Sequence, residues 1–123
     1  SLKTKRRRQG SPEHSLQKSL VDYMLLSYPK ILFCASAGGM RTSMSQAIKM
    51  KSSGYVKGFP DMFVYEPKNK FNGLAIELKV KGNYPSPHQV KWISDLNARG
   101  YKAVVCTGFQ EAINELNNYM RND

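Results

Sequence analysis

The stretch GFPDMFVYEPKNKFNGLAIELKVKG, residues 58–82, decides the fold and the candidate site that we expect for this chain. It contains two apolar, β-rich runs, 60–65 and 74–80, which are separated by the short turn KNKFNG at 68–73. Two strands joined by so short a loop are predicted to pair as an antiparallel hairpin. The hairpin would bring the beginning of the first strand close to the end of the second.

The charged residues of this hairpin are predicted to meet at one point. Because side chains alternate across a strand, Glu77 and Lys79 are expected on one face, and Ile76 and Leu78 on the other, in the core. Asp61 follows a proline at the start of the partner strand. Antiparallel pairing would therefore place Asp61 beside Glu77 and Lys79.

Two acids and a lysine in this arrangement indicate metal-dependent hydrolysis. Asp61 and Glu77 are predicted to chelate one hard cation, Mg²⁺ or Mn²⁺, with the backbone carbonyl of Leu78 as a further ligand. Such an ion stabilises a pentacoordinate phosphate and lowers the pKa of a water, which Lys79 would orient. A Glu-x-Lys pair alone is typical of the polar face of an amphipathic strand. The preceding Pro-Asp and the hairpin favour the catalytic interpretation.

Composition predicts a polyanionic substrate. The 123 residues suit one domain and include 19 Lys and Arg against 9 Asp and Glu, for a formal net charge of +10. The segment KTKRRR, residues 3–8, concentrates part of this charge near the N-terminus, but the rest of the chain is also basic. We expect residues 1–10 to form a basic flexible arm and residues 11–123 to form the folded domain. A basic surface of this kind attracts nucleic acid or an anionic membrane.

Neither a membrane span nor a secretory signal is expected. The sequence has no apolar run near the roughly 18 residues of a span, and its charged N-terminus is not followed by an apolar core. Cys34 and Cys106 both lie in predicted strands and are expected to be buried free thiols. These features predict an intracellular protein with no membrane partner.

Periodicity and capping residues predict an α/β domain with a mixed four-stranded sheet flanked by helices. The order of elements is α, β, α, β, β, α, β, α, without internal repeats. The expected bounds are a helix from the Ser11 cap to just before Pro29, a strand at 31–37, a helix at 42–52, the hairpin strands at 60–65 and 74–80, a helix from the Ser86 cap to about Arg99, a strand at 102–107 and a helix at 110–120.

Five short motifs give the chain a specific resemblance. They are EHSLQ at 13–17, GGMR at 38–41, GFPD at 58–61, IELK at 76–79 and SPHQ at 86–89. In this order and spacing they resemble the VRR-NUC domain, a branch of the PD-(D/E)xK nuclease superfamily. The resemblance covers nearly everything after residue 11. It implies a restriction-endonuclease-like fold with an αβββαβ core.

The resemblance also implies roles for individual residues. Glu13, Asp61 and Glu77 would form the acidic metal site, Lys79 would be the catalytic lysine, and Gln89 would assist in the active site. From the residues alone, Glu13 is more simply a partner of its helix dipole, and Gln89 an ordinary surface residue. The sequence departs from the family at 35–37, where an Asn is frequent, and at His88, where an acid is frequent.

Short stand-alone members of the family resemble viral and bacterial proteins that act as homodimers on four-way DNA junctions. The implied function is therefore a structure-selective DNA endonuclease, a Holliday-junction resolvase, in a bacterial cytoplasm or a virus-infected cell. Its DNA contacts should be mainly to phosphates, and about half of the candidate cations are expected to make them. The candidates are Arg41, Lys49, Lys51, Lys57, Lys81 and Lys91, with Arg6, Arg7 and Arg8 in the arm.

Three alternatives remain open. The first is a flap-type or sequence-specific nuclease on the same fold, although 123 residues leave little room for base-reading insertions. The second is a basic DNA-binding module that has lost catalysis, against which the intact acids and lysine argue. The third is a membrane-surface or RNA-binding protein, for which the chain lacks a basic amphipathic helix or an aromatic stacking motif.

Overall fold

A four-stranded sheet with helices on both faces organises the protein. The computed structural model describes residues 12–38 and 42–121, so the basic arm lies outside the described residues. In chain order the elements are α1 (Pro12–Ser27), β1 (Phe33–Ala35), α2 (Met44–Ser52), β2 (Met62–Val64), β3 (Leu74–Lys79), α3 (Pro87–Ala98), β4 (Lys102–Thr107) and α4 (Gly108–Arg121).

The sheet is mixed, with the strand order β1-β2-β3-β4. The first three strands pair antiparallel, and β3 and β4 pair parallel through the crossover helix α3. The expected hairpin and the expected α/β class with a mixed four-stranded sheet are both confirmed. Met62 pairs with Ile76 in the hairpin. Continuing that register by one residue sets Asp61, just before β2, opposite Glu77.

Strand β3 lies at the centre of the molecule and is covered on both faces. Ile76 and Leu78 pack into the larger core with Leu20 of α1 and Leu116 of α4, as predicted. Ala75 faces the opposite way and packs in a smaller cluster with Leu96 of α3. All six residues of β3 are buried, so Glu77 and Lys79 do not form the solvated polar face of an amphipathic strand.

Strand β1 is shorter and more exposed than predicted. It was expected to span 31–37, but only Phe33–Ala35 pair with β2. As an edge strand β1 has a neighbour on one side only. Cys34 is exposed, and the prediction that it is buried is therefore wrong, whereas Cys106 on β4 is buried as expected.

The helices α2 and α3 begin with matching capping boxes. The hydroxyl of Ser86 accepts from the backbone N–H of Gln89, and the Gln89 side chain accepts from the Ser86 N–H; Ser43 and Gln46 do the same at α2. Helix α2 nevertheless buries none of its residues, and Ile48 is 61% exposed. Among the helices of the described residues, none has the length and apolar character needed to cross a membrane.

Gly58 fixes how the segment before Asp61 meets the start of α3. Its φ is +91°, in the left-handed region, and an added Cβ would lie 2.6 Å from the backbone carbon of His88. Gly54 has a similar φ of +106°, but an added Cβ there would meet nothing within 4 Å. Substitutions at the two glycines can therefore be compared to separate the cost of backbone strain from the cost of steric contact.

We predict that Gly58→Ala destabilises the protein more than Gly54→Ala does. Both variants carry the backbone strain of about 1–3 kcal/mol, but only Gly58→Ala also collides with the backbone of α3. Urea unfolding should give a free energy of unfolding at least about 1 kcal/mol lower for Gly58→Ala than for Gly54→Ala. Equal losses in the two variants would contradict the close contact at His88.

Candidate active site

Two carboxylates lie side by side where the hairpin meets the edge of the smaller core. Asp61 follows the buried Pro60, and Glu77 projects from β3. The two carboxyl groups share a side-chain hydrogen bond. Asp61 Oδ2 also accepts the backbone N–H of Leu78 at 2.7 Å. This bond anchors Asp61 to the strand that carries its partner.

Burial makes the ionisation of this pair unfavourable. Glu77 is 2% exposed, and its buried Oε1 has no hydrogen-bond partner among the described residues. Desolvation, followed by the charge of Asp61, raises the pKa of Glu77 to about 9, although Lys79 opposes the shift. Desolvation also raises the pKa of Asp61, while its hydrogen bond from Leu78 opposes this. The pair therefore holds a proton at neutral pH when no cation is bound.

Lys79 lies between the acid pair and the first helix. Its Nζ is 3.7 Å from Glu77 Oε2 and 3.8 Å from Glu13 Oε1. Asn83 Nδ2 donates to the other carboxylate oxygen of Glu13 at 3.4 Å. The lysine side chain is only 9% exposed, so its ammonium group is confined between two carboxylates. Glu13 therefore restrains Lys79.

The acid pair fits one divalent cation. A cation would replace the shared proton and would satisfy the unpaired Oε1 of Glu77. In the part of the chain that the structure describes, no group of three or more His, Cys, Asp or Glu side chains could hold a metal. The structure thus brings Asp61 and Glu77 together but does not add Glu13 as a third acid. The ligand roles of Glu13 and of the Leu78 carbonyl stay predictions.

Gln89 is engaged at the start of α3. Its Oε1 accepts the backbone N–H of Ser86 at 2.8 Å, and its own N–H donates to Ser86 Oγ at 3.3 Å. Gln89 is half-buried and completes the capping box of α3, in which Ser86 is the cap. Its expected role as an active-site helper stays a prediction.

Ser36 and Tyr55 also belong to this neighbourhood, although the motifs did not assign them to the site. Ser36 N–H donates to the backbone oxygen of Asp61 at 2.8 Å, and Ser36 O accepts from Gln17 Nε2 at 2.9 Å. Tyr55 hydrogen-bonds Ser36, and burial together with the charges of Asp61 and Glu77 raises its pKa. The pairing of strands predicts the position of Ser36, but no periodicity or motif points to Tyr55.

Several predicted DNA-contacting lysines gather beside this site. Lys51 and Lys57 line a cavity of about 650 Å³ together with His88. Lys57 also borders a smaller cavity of about 160 Å³ with Lys91, whose Nζ lies 2.7 Å from Asp95. These three lysines therefore share one side of the molecule with the start of α3.

The remaining candidate cations are less informative. Lys49 and Lys81 are exposed, and neither lines the two cavities described above. Arg41 and the arm residues Arg6, Arg7 and Arg8 lie outside the described residues. The DNA contacts of all these residues stay predictions.

Comparison with known proteins agrees with this fold. A family model described as the VRR-NUC domain matches residues 3–110. A solved structure described as a VRR_NUC domain protein is 27% identical, with a TM-score of 0.75 over 93% of this chain and 92% of that one. No curated protein sequence matches the chain. Nucleases of the PD-(D/E)xK superfamily, which includes this domain, generally use divalent metals and act on nucleic acid.

The matched region spans both carboxylates of the buried pair, the lysine beside them and the whole sheet. The shared architecture extends over nearly the full length of both compared chains. The chain belongs to the VRR-NUC domain family, a family of PD-(D/E)xK-type nucleases.

Proposed function

We propose that this protein is a Mg²⁺- or Mn²⁺-dependent, structure-selective DNA endonuclease that hydrolyses phosphodiester bonds. The observation that carries the proposal is the pair of adjacent carboxyl groups, half-buried Asp61 and buried Glu77, beside the confined ammonium of Lys79. Burying two adjacent acids opposes folding unless a cation or proton compensates them. Retaining such a pair beside a lysine therefore favours a chemical role over a structural one.

Asp61 and Glu77 would hold the divalent ion, with Leu78 through its carbonyl and Glu13 as further candidate ligands. When bound, such an ion lowers the pKa of a water and offsets negative charge on the phosphate. The hydrogen bond from Leu78 N–H leaves one oxygen of Asp61 fixed and orients the other. The unpaired Oε1 of Glu77 offers the second oxygen.

Lys79 would orient the attacking water and donate hydrogen bonds to the phosphate. An ammonium group has three N–H donors and no acceptor, and Glu13 and Glu77 face it from two sides. At 3.7 and 3.8 Å these contacts are ion pairs rather than hydrogen bonds, so its N–H donors would be available for water or substrate. Besides its candidate role as a ligand, Glu13 would position Lys79, which its Oε1 contacts. Gln89 would contribute from the start of α3.

We propose branched DNA, in particular the four-way junction, as the substrate and the homodimer as the active form. The support is the resemblance to stand-alone members of the family and the basic composition, with a formal net charge of +10. A twofold dimer would present two sites for paired nicks in a junction of matching symmetry. An intracellular location is part of the same proposal.

Cleavage of a matched set of labelled DNAs tests this function. We expect wild-type protein with Mg²⁺ or Mn²⁺ to cut a four-way junction in preference to a 5′ flap, a single strand and a plain duplex. Asp61→Asn and Glu77→Gln should each lower the cleavage rate at least about 100-fold while DNA binding persists. Each replaces a negatively charged carboxylate ligand of the metal ion with a neutral amide.

The matched control is Asp22→Asn, which removes an exposed carboxylate paired with Lys18 on the later part of α1. It should cleave at the wild-type rate. Preference for a flap or a single strand would keep the site but replace the junction as substrate. Tight binding without cleavage of any DNA by wild-type protein would show an inert binding module and overturn the proposal.

The acid pair also predicts how stability depends on pH in EDTA. Unfolded Glu77 loses its proton near the ordinary pKa of 4.5, whereas folded Glu77 keeps it until about pH 9. Between these two pH values the folded protein binds more protons than the unfolded chain does. The free energy of unfolding should therefore fall as the pH rises, by more than about 1 kcal/mol.

Urea unfolding at several pH values measures this slope. The stability of Glu77→Gln should be nearly independent of pH across the interval, because an amide has no proton to release. Asp22→Asn should keep the wild-type slope, since its carboxylate is exposed. A Glu77→Gln protein with the wild-type slope would refute the shared, buried proton.

A further inference from the structure

The cavity of about 650 Å³ lies between α2 and the start of α3 and has two kinds of lining. Ala47, Met50 and Val56 give it apolar walls, and the ring of Tyr55 adds an aromatic one. Lys51 and Lys57 bring positive charge to it. Its volume falls within the roughly 300–1,000 Å³ that small-molecule sites usually occupy.

This cavity is connected to the acid pair by direct contacts. Gly38 lines the cavity, and its N–H donates to Ser36 Oγ at 3.0 Å. Ser36 in turn donates its own N–H to the backbone oxygen of Asp61 at 2.8 Å. Tyr55 packs so closely on Gly38 that an added Cβ would lie 1.9 Å from its hydroxyl oxygen. One wall of the cavity is therefore also a wall of the site.

An apolar and aromatic cavity with lysines beside it has the chemistry of a nucleotide site. Bases stack on aromatic rings and apolar side chains, while cations hold the flanking phosphates. A phosphate or metal ion alone would leave the apolar walls unused. A base that remains paired and stacked in a duplex does not enter such a cavity, whereas an unpaired base enters at little cost.

We propose that this cavity receives one unstacked nucleobase of the DNA strand that is cut, next to the phosphate at the acid pair. The inference deepens the proposed nuclease function and rests on it. It gives selectivity against regular duplex DNA a physical origin, since only DNA with an unpaired or easily unpaired nucleotide at that place fills the cavity. Branch points and flaps meet this condition, and a regular duplex does not.

Fluorescence of 2-aminopurine tests the inference without cleavage. The probe replaces each nucleotide in turn across the branch of a four-way junction, and binding is measured with Ca²⁺ in place of Mg²⁺. Wild-type protein should raise the fluorescence several-fold at one position per strand, because the base leaves its stack. No rise at any position would overturn the proposal, even if the protein cleaves DNA.

Two variants of α2 localise the effect. Ala47→Phe adds a ring at a lining residue that is exposed, and should abolish the fluorescence rise and raise the Kd about 10-fold, the loss of one base stack. Ile48→Phe adds bulk at the neighbouring residue, which is not part of the lining, and should behave as wild type. Equal behaviour of the two variants would contradict the cavity as the site.

A change in the DNA gives the same test without depending on the folding of a variant. Removing the base at the responsive nucleotide, to leave an abasic sugar, should weaken binding to wild-type protein about 10-fold. An undiminished affinity for the abasic junction would overturn the proposal. Failure of wild-type protein to cleave any DNA is a separate result, which would refute the nuclease function rather than the base site.

Discussion

The burial of two carboxylates against each other is the constraint on which the site depends. Glu77 is buried and Asp61 half-buried beside it, and desolvation raises the pKa of both. Their repulsion is offset by the hydrogen bond from Leu78 N–H, by Lys79, and by a proton that the pair retains. A divalent cation can replace that proton. The free-energy cost of burying the two carboxyl groups is then offset by metal binding.

The sheet supplies the precision that such a pair needs. The hairpin register places Asp61 opposite Glu77, and the pairing of β1 with β2 brings Ser36 to the backbone of Asp61. Because β3 is covered on both faces, its side chains have little freedom to move. Glu13 approaches from α1 and restrains Lys79. Residues from α1, from β3, from just after β1 and from just before β2 thus meet at one point.

Sequence analysis predicted this meeting point because it depends on local rules. A short turn between two β-rich runs forces a hairpin, and alternation puts Glu77 and Lys79 on one face. The cap at Ser86 followed from the same kind of short-range signal. Local patterns also predicted the order of helices and strands along the chain. The mixed four-stranded sheet was therefore expected, and it is found.

What sequence analysis missed depends on packing between distant elements. The full burial of Glu77 results from helices on both faces of β3, which alternation cannot show. Cys34 is exposed because β1 is a three-residue edge strand, although its apolar neighbours suggested an interior strand. Gly38 and Tyr55 lie before and after α2 in the chain, and their close packing, like the cavity that both line, exists only in the folded protein.

The central claim is that one divalent cation takes the place of the proton held by Asp61 and Glu77. Titration calorimetry with Mn²⁺ near pH 7.5, in buffers of different ionisation enthalpy, measures binding and proton release together. We predict one tight site per chain that releases close to one proton, with both binding and release lost in Glu77→Gln. Binding without proton release, or unchanged binding in Glu77→Gln, would contradict it.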